Sequence, residues 1–456
     1  MTESLPIYPI GHALRASVRV PGSKSITNRA LLVAALAGGT THLTGALFSD
    51  DSRYFAQALQ DLDFEVQLDP LEKEMTITGL GGRIPAGKAE LFIGNAGTAA
   101  RFLSAFLTLG DGEYILDGDA RMRERPIGDL VDALRQLGAT LEPVDRISNI
   151  EYPTTSIVNR KSAIVNRESS SLPIRIIGSG LPGGRASIAG DISSQFLSAL
   201  LMVGPYARRA VELALSTELN SKPYVDMTLA VMHEFGVDVQ RDGYERFTVP
   251  QGRYQPRETY AVESDASAAS YFFAAPAVLG GSVRVENISR RSKQGDIAFL
   301  GVLEQMGCLV TEGPGYIEVT GPAVGQWSPG PALRGVDVDL RDIPDTAQTL
   351  AAIAPFASGP TRIRGIASAR VKETDRVAAM CAELRRMGVE VEEYPDGLAI
   401  QPCASIRPAT VRTYNDHRMA MAFALVGLRV PGITIENPGC VSKTFPNYFT
   451  VLEALR

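Results

Sequence analysis

The chain contains 456 residues, of which 45% are hydrophobic and 21% are charged, and this composition excludes a disordered chain, a collagen-like fibre and a coiled coil. Its 45 basic residues are outnumbered by 51 acidic ones, so the net charge is −6 and a nucleic-acid-binding role is not favoured. The length predicts two or more domains. Only eight of the basic residues are Lys, and the other 37 are Arg.

The start of the chain and its hydropathy bear on where the protein works. The sequence does not open with a basic stretch followed by an apolar one, so we expect no signal peptide. No uncharged apolar run reaches the ~18 residues that a membrane-spanning helix needs. We therefore expect a cytoplasmic protein that does not associate with membranes.

The dominant pattern along the chain is a repeat with a long period. Each copy begins with small or hydroxyl residues, continues as an Ala- and Leu-rich helix, and passes through Gly or Pro into a β-rich stretch. The copies begin at Ser23, Asn95, Asp191, Ser264, Ile343 and Asn415. The successive intervals are 72, 96, 73, 79 and 72 residues, which indicates six copies of one unit.

A second, amphipathic helix is predicted in every copy, and in the first five it is followed by a further strand. These helices are predicted at Asp51–Leu62, Ile127–Leu137, Tyr224–Phe235, Asp296–Met306, Thr374–Met387 and Phe445–Leu455. Each unit is therefore predicted as α-β-α-β-β, and six such units fit two lobes of three better than one continuous sheet. The long interval of 96 residues indicates an insertion at 146–175, which we interpret as a surface hairpin or loop.

Three short patterns resemble ligand-binding motifs but lack the required context. Gly178–Gly183 matches a dinucleotide-binding pattern, but Pro182 and a β-like stretch stand where a helix should begin. Gly22–Ser25 lacks the upstream Gly of a phosphate-binding loop, and Asp416–His417 has no third metal ligand nearby in the sequence. We therefore predict neither a nucleotide site of these types nor a metal site.

Cations recur at the predicted starts of helices, where the helix dipole makes them mildly unfavourable. They are Lys24, Arg121, Arg123, Arg125, Lys222, Lys372, Arg376, Arg418 and Lys443. Chance explains any single one, but repetition at equivalent points of a repeat indicates a functional site. The pattern favours a substrate with several negative charges, and phosphate or carboxylate groups suit best because Arg binds both through two hydrogen bonds.

Other polar side chains cluster at the same helix starts. The uncharged ones are Ser23, Ser25, Asn95, Thr98, Ser193, Ser194, Gln195 and Ser221. They are either helix caps or ligand contacts. Asp345 and Glu373 are the acidic candidates, and each is either a cap or a base kept ionised by the surrounding cations.

Nine stretches of the sequence together resemble the enolpyruvyl transferase family. They are PGSKSITNRALL (21–32), GNAGTAARF (94–102), DARMRERPIGDL (119–130), GDISSQFLSALLM (190–202), SKPYVDMT (221–228), DIPDTAQTLA (342–351), RVKETDR (370–376), YNDHRMAMAFAL (414–425) and SKTFPNYF (442–449). They follow the family's order through both halves of the chain. The resemblance implies a two-lobed inside-out α/β barrel with three βαβαββ-type units in each lobe, one lobe at 23–262 and the other at 1–22 plus 263–456.

The resemblance also implies the reaction. The enolpyruvyl group of phosphoenolpyruvate is expected to be transferred to the 5-hydroxyl of shikimate 3-phosphate by addition and elimination, with release of phosphate and without a metal or organic cofactor. We expect the protein to act as a monomer. Asp345 is implied as the base for the 5-hydroxyl and Glu373 as the group that exchanges a proton with the methylene carbon. Lys24 is implied as a catalytic cation that offsets substrate charge, together with Lys443.

Two overlapping sets of binding residues follow from the same resemblance. Shikimate 3-phosphate is expected to contact Lys24, Ser25, Arg29, Ser193, Ser194, Gln195, Ser221, Tyr224, Asp345 and Lys372. Phosphoenolpyruvate is expected to contact Lys24, Gly97, Arg125, Gln195, Arg376, Arg418 and Lys443. Two positions depart from the family pattern: Ser368 stands where Asn is frequent, and Phe102 stands where Pro is common.

Two other functions stay open at this point. A sister branch of the family transfers the enolpyruvyl group to a UDP-linked amino sugar, but that branch uses a Cys-bearing loop near 121–125, where this chain has no Cys. The second alternative is that the chain is a non-catalytic protein that binds a phosphosugar. Asp345 and Glu373 argue against that function, because carboxylates hinder the binding of anions.

Overall fold

The structure is a computed structural model, and it describes residues 3–144, 171–322 and 333–456. Most of the insertion predicted at 146–175 lies outside these ranges. Its last two residues, Ile174 and Arg175, begin a strand of the regular fold. The predicted insertion therefore extends too far at its C-terminal end.

Within these ranges the chain forms 23 strands and 12 α-helices. The strands are β1 (Ser4–Ile7), β2 (Leu14–Arg19), β3 (Gly38–Thr44), β4 (Glu65–Asp69), β5 (Glu74–Leu80), β6 (Lys88–Phe92), β7 (Asp111–Asp117), β8 (Thr140–Pro143), β9 (Ile174–Ser179), β10 (Gly184–Ile188), β11 (Val211–Leu215), β12 (Gln240–Asp242), β13 (Arg246–Val249), β14 (Tyr260–Ala261), β15 (Gly281–Glu286), β16 (Leu309–Gly313), β17 (Tyr316–Thr320), β18 (Asp337–Asp339), β19 (Thr361–Arg364), β20 (Val391–Tyr394), β21 (Gly397–Ile400), β22 (Ala409–Val411) and β23 (Ile433–Glu436). The helices are α1 (Lys24–Leu36), α2 (Asp50–Asp61), α3 (Gly97–Phe106), α4 (Gly128–Gln136), α5 (Ser194–Val203), α6 (Lys222–Glu234), α7 (Ala266–Leu279), α8 (Phe299–Gln305), α9 (Ala347–Ile353), α10 (Arg376–Arg386), α11 (His417–Gly427) and α12 (Tyr448–Glu453).

Each copy of the repeat contributes most of one sheet. In the second copy, α3 connects the parallel strands β6 and β7, with Lys88 opposite Glu113. Strand β9 then lies antiparallel to both β7 and β8. The order β6-β7-β9-β8 recurs as β10-β11-β13-β12 and as β18-β19-β21-β20. The unit is therefore βαβαββ. The α-β-α-β-β pattern predicted from the sequence lacks the strand that precedes the first helix.

The remaining sheets each take one strand from a distant part of the chain. Strand β2 pairs in parallel with β15, and β14 pairs in parallel with β3. Strand β1 lies antiparallel to β23 and completes the sheet of the sixth copy. The N-terminal strands thus belong with the sheets of the second half of the chain.

The two chain segments that connect the halves run side by side. Gly22 forms a β-bridge with Ser264, and the Ser23 amide donates to the Glu263 carbonyl at 2.8 Å. Gly22 is required there, because a Cβ would lie 1.9 Å from the carbonyl oxygen of Gly45. The chain therefore has no room for a side chain at position 22, where it passes from one half to the other.

The buried apolar side chains form two separate clusters. One draws on residues between Ile26 and Val262, and the other on Ile7–Val20 together with Ala266–Leu455. We propose that these clusters are the cores of the two lobes, divided at 23–262 and at 1–22 plus 263–456.

The first helix of each copy lies inside its lobe, and the sheets lie outside. Every residue of α7 is buried, as are all residues of α3, α9 and α11. The Ala-rich composition follows from this position, because small side chains let the three inner helices of a lobe pack against one another. The second helices are amphipathic because one face packs against inner helices or a sheet and the other face meets water.

Two of the second helices are shorter than predicted. Helix α8 begins at Phe299 because Gly295–Ala298 forms a 3₁₀ turn, and α12 begins at Tyr448 after a 3₁₀ segment at Pro438–Lys443. The rejected Gly178–Gly183 pattern lies between β9 and β10 and opens no helix, as predicted. No helix within the described ranges is long and apolar enough to cross a membrane.

We predict that Gly22→Ala lowers the free energy of unfolding by about 3 kcal/mol, because the backbone oxygen of Gly45 has to move to admit the new methyl group. Gly301→Ala is the matched control. Gly301 lies in α8 with nothing within 4 Å of its added Cβ, so the same substitution should raise stability by up to about 1 kcal/mol. The melting temperatures of the three proteins, measured by calorimetry, report both effects. Equal melting temperatures for G22A and the unsubstituted protein would contradict the loss of stability expected for Gly22→Ala.

Candidate active site

The predicted site residues converge on one cleft, where the starts of inner helices from both halves of the chain meet. The cleft is lined by Lys24, Ser25, Asp51, Gly97, Thr98, Arg101, Arg125, Pro126, Ile192, Ser193, Ser194, Gln195, Phe196, Ser221, Tyr224, Asp345, Ser368, Val371, Lys372, Glu373, Arg376 and Arg418. All the residues that the sequence assigned to substrate binding or catalysis are among them except Arg29 and Lys443.

Helix caps fix the positions of several of these residues. The Ser23 hydroxyl accepts from the Ile26 amide, which places Lys24 in the first turn of α1. Ser193 caps α5, and the Asp416 carboxylate accepts from the Arg418 amide at the start of α11. The cations therefore stand where the exposed N–H groups and the helix dipole already favour an anion.

Asp345 lies at the centre of a cluster of cations. Its carboxylate is 2.6 Å from Lys372 Nζ, 2.9 Å from an Arg376 nitrogen and 2.7 Å from an Arg418 nitrogen. Burial raises the pKa of the carboxyl, but Arg418, Lys372 and Arg376 outweigh burial and hold the pKa well below its usual range. Asp345 is therefore ionised when no substrate is bound.

Glu373 has a similar environment on the other side of Arg376. Its carboxylate is 2.8 Å from Arg376, 3.7 Å from Lys443 Nζ and 3.9 Å from Arg125. Burial again raises the pKa, and Arg376, Arg125 and Lys443 hold it well below its usual range. Arg376 thus connects the two carboxylates, and it also pairs with Asp416 at 2.8 Å.

A third carboxylate, Asp51, was not predicted as a site residue. It lies 3.5 Å from Lys24 Nζ and 2.8 Å from Lys443 Nζ. The sequence identifies Asp51 only as the first residue of a predicted amphipathic helix, because an acidic residue in a first helical turn needs no other explanation. Lys443 lies at the edge of the cleft, between Asp51 and Glu373.

Hydroxyl and amide groups line the cleft together with the charged side chains. Gln195 Nε2 lies 3.4 Å from the Thr98 hydroxyl. The Tyr224 hydroxyl donates to both oxygens of Asp296 at 3.1 Å and lies 3.5 Å from Asp345. Ser221, just before α6, has a φ of 58°, a left-handed conformation that is uncommon for a residue other than glycine. Uncommon backbone conformations of this kind concentrate at functional sites.

Arg29 does not line the cleft in this structure. Its guanidinium is buried and donates to the backbone carbonyls of Ser25 and Tyr224, at 2.9 and 3.1 Å, and to the Thr228 hydroxyl. It also lies 5.3 Å from the centre of the Phe102 ring. Arg29 therefore holds the backbone of two cleft residues.

Not every cation at a helix start contributes to the cleft. Lys222 turns to Glu218 at 3.2 Å, and Arg123 pairs with Asp117 at 2.5 Å. The residues that do line it include six cations and three carboxylates. The excess of positive charge, in a cleft with many hydrogen-bond donors, suits a substrate with several negative charges.

Comparisons with known proteins agree with this geometry. A family model described as EPSP synthase (3-phosphoshikimate 1-carboxyvinyltransferase) matches residues 9–452. The 3-phosphoshikimate 1-carboxyvinyltransferases of Nostoc punctiforme and Vibrio atlanticus are 48% and 47% identical to the chain, over 98% and 99% of both sequences. The solved structure of EPSP synthase from Acinetobacter baumannii superposes with a TM-score of 0.77 at 26% identity, covering 99% of this chain and 98% of that one, which confirms the predicted α/β fold class.

The motifs quoted from the sequence lie throughout the span that the family model matches. The two relatives share nearly half of their residues with this chain over almost their whole length. The chain therefore belongs to the EPSP synthase family, whose enzymes catalyse enolpyruvyl transfer in the shikimate pathway.

Proposed function

We propose that this chain transfers the enolpyruvyl group of phosphoenolpyruvate to the 5-hydroxyl of shikimate 3-phosphate and releases phosphate. The observation that carries the proposal is the cleft itself, in which two carboxylates, Asp345 and Glu373, are surrounded by an excess of cations. Pure anion binding is weakened by such carboxylates, whereas a proton-transfer reaction between two anions needs them.

The binding residues are proposed by position in the family motifs. Shikimate 3-phosphate is held by Lys24, Ser25, Arg29, Ser193, Ser194, Gln195, Ser221, Tyr224, Asp345 and Lys372, with Arg29 acting through the backbone of Ser25 and Tyr224. Phosphoenolpyruvate is held by Lys24, Gly97, Arg125, Gln195, Arg376, Arg418 and Lys443. We propose no metal and no organic cofactor, and a monomer in the cytoplasm without nucleic-acid or membrane partners.

The two carboxylates divide the proton transfers. During addition, Asp345 accepts the proton of the 5-hydroxyl as that oxygen attacks the central carbon of phosphoenolpyruvate. Glu373 is ionised in the free cleft, gains a proton once the bound anions draw Arg376, Arg125 and Lys443 away from it, and gives that proton to the methylene carbon. During elimination, Glu373 takes a proton back from the resulting methyl group, and the proton held by Asp345 passes to the phosphate as it leaves, so both carboxyls return to their starting states. Lys24 and Lys443 offset the negative charge on the phosphate and carboxylate throughout.

Release of inorganic phosphate from the purified protein tests the proposal. Release only when both substrates are present supports it. Release with a UDP-linked amino sugar as acceptor would instead indicate the sister reaction. Binding of shikimate 3-phosphate without any phosphate release would indicate a non-catalytic binding protein.

We predict that Asp345→Asn and Glu373→Gln each lower kcat by about 10³-fold, because each removes one proton-transfer group while keeping the side-chain shape. Steady-state phosphate release measures kcat. Asp337→Asn is the matched control, since Asp337 is an exposed carboxylate that pairs with Arg364 at 2.7 Å on the same half of the chain. Retention of activity within tenfold in either cleft variant would contradict the assigned role.

Asp296 is a further buried carboxyl beside the proposed base. It accepts from the hydroxyls of Tyr224 and Ser267 and has no cation within ion-pair distance among the described residues. Burial, with the nearby charge of Asp345, raises its pKa from 3.8 to about 6. Arg418 acts in the opposite direction but does not outweigh these effects.

We predict that Asp296 makes the fold less stable as pH rises from 4 through 6. In that interval the folded protein keeps the proton and the unfolded chain loses it, so the free energy of unfolding falls by about 3 kcal/mol. Asp296→Asn removes the titrating carboxyl and with it this pH dependence of the free energy of unfolding. An effect of the amide that is the same at every pH does not change how the difference between the two proteins varies with pH. Urea unfolding at several pH values should therefore show the difference between D296N and the unsubstituted protein growing up to about pH 6. Parallel curves would contradict the raised pKa.

A further inference from the structure

Arg121 makes a contact across the cleft that the proposed reaction does not use. It belongs to the motif at 119–130 in the first half of the chain, and it is one of the cations at a predicted helix start. Its Nη2 and Nε both donate to the backbone carbonyl of Lys372, at 2.7 and 3.2 Å. We call this pair of hydrogen bonds the cross-cleft contact.

The acceptor of the cross-cleft contact, the Lys372 carbonyl, lies between two residues that are proposed to act on the substrates. The Lys372 carbonyl belongs to the peptide group that joins Lys372 to Glu373. Lys372 lies 2.6 Å from the proposed base, Asp345, and Glu373 is the proposed second proton-transfer group. The carbonyl is also the first after the 3₁₀ segment Ala367–Val371, where the helical hydrogen bonding has ended. The cross-cleft contact thus holds the segment that presents both side chains.

Arg121 itself is not part of the cleft wall, and about a third of its side chain is exposed. Its third nitrogen, Nη1, pairs with exposed Glu124 at 2.8 Å, which orients the guanidinium. Other bonds between the halves use residues that are proposed to turn to the substrates, such as Lys443 with Asp51 and Arg125 with Glu373. The acceptor of Arg121 is a neutral carbonyl that does not repel anions, so we expect the cross-cleft contact to persist when the anions bind.

We propose that Arg121 is a positioning residue that stabilises the closed cleft and thereby sets the fraction of the enzyme competent to bind either substrate. The inference rests on the proposed function. It predicts a specific thermodynamic pattern, because loss of a closed, competent state lowers the affinity of every ligand of that state by the same factor. A residue that contacts one ligand directly would change the affinity of that ligand alone.

Arg121→Gln tests the proposal. Titration with each substrate alone should show the dissociation constants of shikimate 3-phosphate and of phosphoenolpyruvate rising by the same factor, about tenfold, because a charge-assisted pair of hydrogen bonds is lost. At saturation with both substrates, kcat should stay within about twofold. Small-angle scattering should show a larger radius of gyration than that of the unsubstituted protein without ligands, and the same radius with both.

Arg135→Gln is the matched control. Arg135 also donates through Nε and Nη2 to one carbonyl, that of Leu141, at 3.1 and 2.6 Å, but within the same half of the chain. It should leave both dissociation constants unchanged. Arg121→Lys, which keeps one donor, should give a smaller rise of about threefold.

Each other outcome overturns the proposal. A rise confined to phosphoenolpyruvate would make Arg121 a ligand contact, and unchanged constants would deny it any role in closure. A fall in kcat alone would assign it to the chemical step. Unfolding of both Arg121 variants with Arg135→Gln intact would assign it to the stability of the fold. Phosphate release by the unsubstituted protein tests the proposed function separately, so failure of one is distinguishable from failure of the other.

Discussion

The cleft depends on the mutual repulsion of the cations that line it. Lys24, Arg376 and Arg418 all lie at the starts of helices, where the dipole adds to their positive charge. They are also largely removed from water, which strengthens the repulsion. In the free protein this arrangement persists because Asp345 and Asp416 stand among them. In the free protein, Asp345 and Asp416 therefore act as counterions of these cations.

The same constraint bears on why residues from both halves of the chain line the cleft. A single lobe that carried all of these charges would have to fold against their full repulsion, and buried ion pairs give little net stability in return for their desolvation. In this chain one half supplies Lys24 and Arg125, and the other supplies Arg376, Arg418 and most of the carboxylates. The second half already groups Lys372, Arg376 and Arg418 around Asp345, and the first half adds Lys24 and Arg125 where the two halves meet. The full excess of positive charge is therefore present only between the halves.

Sequence patterns reveal those parts of the structure that local physics decides. The Ala-rich inner helices, their caps and the six-fold repeat were predictable, because each copy repeats the same hydrophobic period and the same stop signals. Residues whose role depends on a distant partner were not. Asp51 is an ordinary first-turn residue until Lys443, almost 400 positions later, comes within 2.8 Å of it. Lys222 carried the same local signal as Lys24, yet its Nζ pairs with Glu218, four residues earlier in the chain.

Electrostatics also makes the proposed base dependent on its substrates. An opposite charge about 4 Å away contributes about 4 kcal/mol at an effective dielectric constant of 20, which corresponds to about three pKa units. With Lys372, Arg376 and Arg418 all directed at it, Asp345 is too weak a base to accept a hydroxyl proton. Phosphate and carboxylate groups that draw these cations away raise its pKa. Under the proposed function, the charge of the bound substrates therefore generates the basicity that the reaction needs, and Asp345 acts as the base only when they are in place.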